Sequence, residues 1–184
     1  RPYGLAFAYH SPCLLRAIRR HLCQKYWQGA TPQRHPLQQA DIDMLNELEN
    51  APKKVGKYIE QYKFRFALQA LMDLARSGNK YLADTEPWKL FKVEGGQERT
   101  ETILNIAIQI TAYLSVLCEP FLPFTSEKVT KMLNIEPLQW LDLNNIDLIK
   151  TGHMLNQPHL LFSRIEDDAI QKEIEKLKSL NSEV

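Results

Sequence analysis

The stretch that decides the fold runs Glu98-Arg-Thr-Glu-Thr-Ile-Leu-Asn-Ile-Ala-Ile-Gln-Ile-Thr-Ala-Tyr-Leu-Ser-Val-Leu-Cys118. Ile103, Ile106, Ala107, Ile110, Tyr113, Leu114 and Leu117 recur at the steps of three and four that an α-helix imposes on a buried face. Apolar residues occupy much of the circumference, which predicts a central helix enclosed by others. Pro120 and Pro123 end it.

Working outward, Phe64 to Leu82 predicts a second helix with Leu68, Leu71, Met72 and Ala75 on one face. Upstream, Ile42, Leu45, Leu48, Val55 and Ile59 predict another, with Asp41 in its N-cap region. Pro52 makes that stretch one kinked helix or two in line. Thr85-Glu86-Pro87 breaks the second helix, since the residue before a proline avoids the helical region. Trp88 to Lys92 reads as a short turn and Glu94-Gly95-Gly96 as a loop. Beyond the central helix, Thr125 or Ser126 is placed to cap a helix from Glu127 to Leu133. Residues 134–165, with Pro137 and Pro158, read as loops and short turns. Asp167 to Leu180 predicts a charged helix with an Ile170, Ile174, Leu177 stripe. No strand period and no repeat is present. The fold class is all-α, a helical bundle with short connections.

Composition agrees. The 184 residues are 44% apolar, enough for one core. Net charge is only +1, yet it is unevenly spread. Residues 1–35 contain no acid, 36–50 contain no base, and 53–65 hold Lys53, Lys54, Lys57, Lys63 and Arg65 against Glu60. Such patches suit phosphates and equally suit solvated helix faces. Cys13, Cys23 and Cys118 form no Cys-x-x-Cys or Cys/His quartet, which argues against a zinc site, and free thiols fit a reducing cytoplasm. No apolar run reads as long enough to cross a bilayer. The missing initiator Met suggests a fragment. Nucleotide-binding glycine motifs and metalloprotease signatures are absent. His153 and His159 bracket Pro158 without partners, and Glu166-Asp167-Asp168 suits a helix start. No catalytic or metal residue is assigned.

The informative segment is Gly78-Asn-Lys-Tyr-Leu-Ala-Asp-Thr-Glu-Pro-Trp-Lys-Leu90. A helix ends, a Pro-Trp step follows, and Lys80, Lys89 and Lys92 flank it. An aromatic face amid lysines is suited to stacking an unpaired base and holding phosphates. Trp88 could equally plug the end of the bundle, and the residues alone leave both open.

Asn79-x-Tyr81 followed by Pro87-Trp88-x-Leu90-x-Lys92 resembles the anticodon-binding domain of methionyl-tRNA synthetases. Three further stretches agree in order: Ile59 to Leu68, Leu117-Cys-Glu-Pro-Phe-Leu-Pro-Phe-Thr125, and Leu160-Leu-Phe-Ser-Arg-Ile165 before an acidic helix. The resemblance spans about residues 24–178. It implies the helical bundle of class I aminoacyl-tRNA synthetases, gripping the CAU anticodon of methionine tRNA, with Trp88 stacked on the first anticodon base. Pro87 would fix the turn, and Asn79 and Tyr81 would contribute either contacts or helix-end packing. The implied domains are an atypical segment at 1–23, the bundle at 24–165, and a charged helix and tail at 166–184. The family's His-Ile-Gly-His and Lys-Met-Ser-Lys-Ser signatures are absent, so this fragment should carry no cofactor. ATP, methionine and zinc sites would belong to a catalytic domain outside it. Where the family reads the anticodon with an Asn and an Arg four residues apart, this sequence has Leu14 and Ile18, and neither role carries over. Another class I synthetase, or a stand-alone tRNA-binding module, is the alternative. The partners implied are methionine tRNA and the enzyme's own catalytic domain, in the cytoplasm and away from membranes. The purified chain is expected to show no methionine-dependent ATP–pyrophosphate exchange, and measurable exchange would overturn the absence of a catalytic centre.

Overall fold

The computed structural model describes residues 29–157, 161 and 167–181. The segment 1–23 with Leu14 and Ile18, and His159, lie outside them. The described helices are α1 (Gln39–Glu60), α2 (Phe64–Thr85), α3 (Pro87–Leu90), α4 (Gln97–Cys118), α5 (Pro123–Leu133) and α6 (Asp167–Asn181), with a 3-10 turn at Trp140–Asn144. The all-α expectation holds. The only extended pairing among the described residues is an isolated antiparallel bridge between Ala30 and Met154.

Short connections make α1, α2 and α4 run alternately up and down. α4 packs against α1, α2, α3, α5 and the 3-10 turn. Every residue from Thr102 to Cys118 is buried, as the all-round apolar pattern predicts. Length and composition alone would let α4 cross a membrane, at a mean hydropathy of 1.4 over its most apolar window. This corrects the expectation that no run is long enough. Since 94% of that window is buried inside the protein, packing accounts for its apolarity.

Pro52 leaves α1 a single helix, one of the two readings the sequence left open. It sits buried within one helix, where the missing N–H costs a hydrogen bond but the ring joins the core beside Ala51 and Val55. α5 begins at Pro123, not after Thr125 or Ser126. A proline at the first helical position has no N–H to waste and the right φ already. The Thr125 and Ser126 N–H groups both donate to the Leu122 carbonyl, at 3.0 Å each, so they lie inside the first turn.

One face of α4 is polar and fully partnered. The segment leading into α1 lies along it. Arg34 donates to Asn105 Oδ1 through Nε (3.1 Å) and Nη2 (2.9 Å), and Asn105 Nδ2 donates to the Pro32 carbonyl at 2.9 Å. The His35 N–H donates to Thr102 Oγ1 at 2.9 Å. Gln109 clamps Ile149, donating to its carbonyl at 2.7 Å and accepting from its N–H at 3.1 Å. Gln109→Leu is expected to orphan two buried backbone groups, at about 1–3 kcal/mol each. Urea unfolding should show a lowered midpoint, and an unchanged midpoint would contradict the clamp.

Candidate nucleic-acid interface

Trp88 owes its position to the corner between α2 and α4. α2 ends where Glu86 adopts a left-handed conformation, φ 42°, with its N–H still donating to the Leu82 carbonyl at 3.1 Å. A non-glycine residue in that region is uncommon and strained. Glu86 also opens α3, accepting from the N–H groups of Lys89 and Leu90 at 2.8 and 3.2 Å. Pro87 fills the first position of α3 and is buried. Leu90 leans on the main core and Phe91 on the smaller cluster around α5. With these three turned inward, Trp88 faces out at 42% exposure. Gly96 holds α3 down on the α4 start: a Cβ there would collide with the Leu90 carbonyl, so only glycine allows the approach.

Behind this corner lies a buried polar cluster. Asp41 is fully buried on the first turn of α1. The Tyr81 hydroxyl donates to its Oδ1 at 2.6 Å, from the last turns of α2. Arg99, at the start of α4, makes a two-pronged ion pair with it, Nη2 to Oδ1 at 2.9 Å and Nη1 to Oδ2. The Gln38 N–H donates to Oδ2 at 2.8 Å. Asp41 thus lies in the N-cap region as expected, as the third residue of α1 with Gln38 at the cap. Burial would raise the Asp41 pKa, but the bonds from Arg99, Tyr81 and Gln38 outweigh it and hold the carboxyl below its ordinary 3.8. Burial and the carboxylate push the Tyr81 phenol far up, so it stays a donor.

A sequence profile of the anticodon binding domain of methionyl tRNA ligase matches residues 31–182. The chain belongs to that family. Its relatives include the methionine–tRNA ligase of Bacteroides fragilis (strain YCH46), 47% identical over 156 residues, which are 85% of this chain and 23% of that protein. The ligase of Flavobacterium psychrophilum is 48% identical over 160 residues, 86% of this chain and 23% of the relative. The chain thus spans under a quarter of the length of these relatives. In fold it is similar to the apo methionyl-tRNA synthetase of Mycobacterium tuberculosis, TM-score 0.80 at 21% identity, over 89% of this chain and 33% of that one. The same synthetase bound by methionyl-adenylate gives a TM-score of 0.77 over 87% and 32% of the two chains, again at 21% identity.

The residues singled out by the sequence fall into two layers. Trp88, Lys89 and Lys92 are exposed on or just after α3, and Lys80 is exposed on α2. Lys89 is paired with Glu86 at 2.7 Å, which tempers its charge. Tyr81, at 6% exposure, lies in the core and offers no surface. Asn79 is half-buried and already engaged by a neighbour. His153 is also structural, its Nε2 donating to the Leu133 carbonyl at 2.8 Å. Burial pushes the Cys118 thiol up to about 12, leaving an inert core residue. Among the described residues, no group of three or more His, Cys, Asp or Glu side chains could hold a metal. The sequence reading missed Arg99, Gly96 and the buried role of Asp41.

Asp41→Asn would leave Arg99 without its counter-charge and should cost about 3–5 kcal/mol. Because the folded-state pKa is depressed, this stabilisation is present above the ordinary 3.8 and is lost as pH falls through the lower, folded value. Unfolding midpoints measured across that acid window should fall in the parent chain, with the Asp41 contribution missing from the variant. Parallel pH profiles would refute the assignment.

Proposed function

We propose that this domain recognises the CAU anticodon of methionine tRNA, with Trp88 stacking on an anticodon base, in the service of a methionine–tRNA ligase. The observation that carries the reading is the outward Trp88 ring backed by buried Pro87 and a strained, non-glycine Glu86. A tryptophan needed only for packing would turn inward with Leu90. Instead a large π-face meets water next to Lys89 and Lys92, the combination that stacks a base and holds its phosphates. Asn79, on the last turns of α2, is the polar side chain best placed by sequence to support the loop, and Lys80 adds charge. Tyr81 and Pro87 act by holding the corner.

Methionine activation with ATP, any zinc site and the aminoacylation step belong, on this reading, to the part of the ligase beyond the matched segment. The domain contributes positioning of the tRNA in cytoplasmic translation. The identities of 47–48% to methionine–tRNA ligases favour this over another class I synthetase.

Trp88→Ala is expected to weaken methionine tRNA binding by about 5- to 150-fold, the value of one stacked base, while barely moving the melting temperature. Trp88→Phe should lose less, because the smaller ring still stacks. Both quantities are to be measured on the same samples. A stability loss of about 3–5 kcal/mol, the usual cost of truncating a core aromatic, would sink the stacking role.

A further inference from the structure

At the end of the bundle opposite Trp88, the chain turns from α1 into α2 through Tyr62-Lys63-Phe64-Arg65-Phe66. α2 has 22 residues, so this tip lies about 33 Å from the Trp88 corner at 1.5 Å per residue. Tyr62 is 83% exposed, Phe64 55% and Phe66 57%. The rings are braced rather than loose. Tyr62 meets Phe64 edge-on with centroids 6.4 Å apart, and Tyr58 meets Phe66 at 5.8 Å and 32°.

The backbone beneath is strained in a telling way. α1 closes with the Tyr62 N–H donating to the Ile59 carbonyl at 2.9 Å and the Lys63 N–H to the Tyr58 carbonyl at 2.8 Å. This is a Schellman closure, whose left-handed position is normally glycine. Here it holds Tyr62 at φ 58°. The ring gains little burial to offset that strain, so folding alone does not account for a tyrosine there.

The charge is one-sided. No acid occurs from Gln61 through Met72, and Glu60 is the carboxylate nearest in sequence. Lys57, Lys63 and Arg65 are exposed, and among the described residues none has a carboxylate partner; Lys63 Nζ donates to Gln61 Oε1 at 3.0 Å. Unpaired cations interleaved with ring faces are complementary to a polyanion carrying unpaired bases.

We propose that the α1–α2 hairpin tip is a second RNA contact, binding an unpaired stretch of the tRNA body beyond the anticodon arm by stacking on Tyr62 and Phe64 and by phosphate contacts to Lys63 and Arg65. The proposal rests on the anticodon-binding reading. It adds a second anchor that sets the direction in which the tRNA leaves Trp88.

The test compares binding of the 184-residue chain to full-length methionine tRNA and to a synthetic anticodon stem–loop too short to reach the tip. The parent chain should bind the full tRNA more tightly. Tyr62→Gly should raise the melting temperature by relieving the left-handed strain, yet weaken full-length tRNA binding by about 5- to 150-fold and leave stem–loop binding unchanged. Phe64→Ala should show the same selective loss. Trp88→Ala should weaken both RNAs. Equal affinity of the parent chain for the two RNAs would overturn the tip contact while leaving the Trp88 reading intact. Undiminished full-length binding by Tyr62→Gly and Phe64→Ala would also overturn it and point to a protein partner for the face. No binding of the stem–loop would instead count against the anticodon reading itself.

Discussion

The Asp41–Arg99 ion pair is the constraint on which the rest of the structure depends. A carboxylate removed from water needs its full complement of donors, since an uncompensated buried charge costs far more than one hydrogen bond is worth. The donors to Asp41 come from the approach to α1, the α2 end and the α4 start. None of those three helix ends can shift without stripping a donor from the charge. α2 therefore stops at a fixed point, Glu86 turns there, and α3 leaves in one direction. The outward Trp88 ring is the consequence at the surface of a charge satisfied in the interior.

A second constraint works along α4. Its apolar surface would suit lipid, but Thr102, Asn105 and Gln109 recur at helical spacing and form a polar stripe on one face. That stripe is satisfied by chain segments distant in sequence: the strap before α1 through Arg34 and His35, and the later loop through Ile149. Hydrogen bonds to particular backbone groups fix register in a way that apolar packing cannot. The strap they hold leads straight into the first turn of α1, where Asp41 sits.

Much of this was legible in the residues. The period of Ile103 to Leu117 was enough to name the central helix, while Pro87-Trp88 amid lysines left two readings open and became the candidate site through the family resemblance. What could not be read was longer in range. Asp41 and Arg99 are separated by 58 positions, and nothing in a local period pairs them, so Asp41 looked like an ordinary helix-start acid. The exposure of Trp88 depends on where Leu90 and Phe91 find room, which is a tertiary fact. Tyr81 matched the motif, but motif spacing does not tell a side chain that touches a ligand from one that holds the wall behind it. Pro52 left two readings open, and its burial within a single helix, which no local period shows, decides between them. At the tip the basic run through Lys63 and Arg65 was legible, but the strain at Tyr62 was not, because a left-handed backbone is invisible in sequence when the residue is not glycine.

On the proposed function, this domain reads one anticodon, and Trp88 is the surface that meets it. The most direct measurement is competition for the chain between methionine tRNA and the same tRNA carrying a different anticodon, all other nucleotides unchanged. The swapped tRNA is expected to compete more weakly. Equal competition by the two would contradict anticodon recognition, because binding would then rest on features shared by any tRNA.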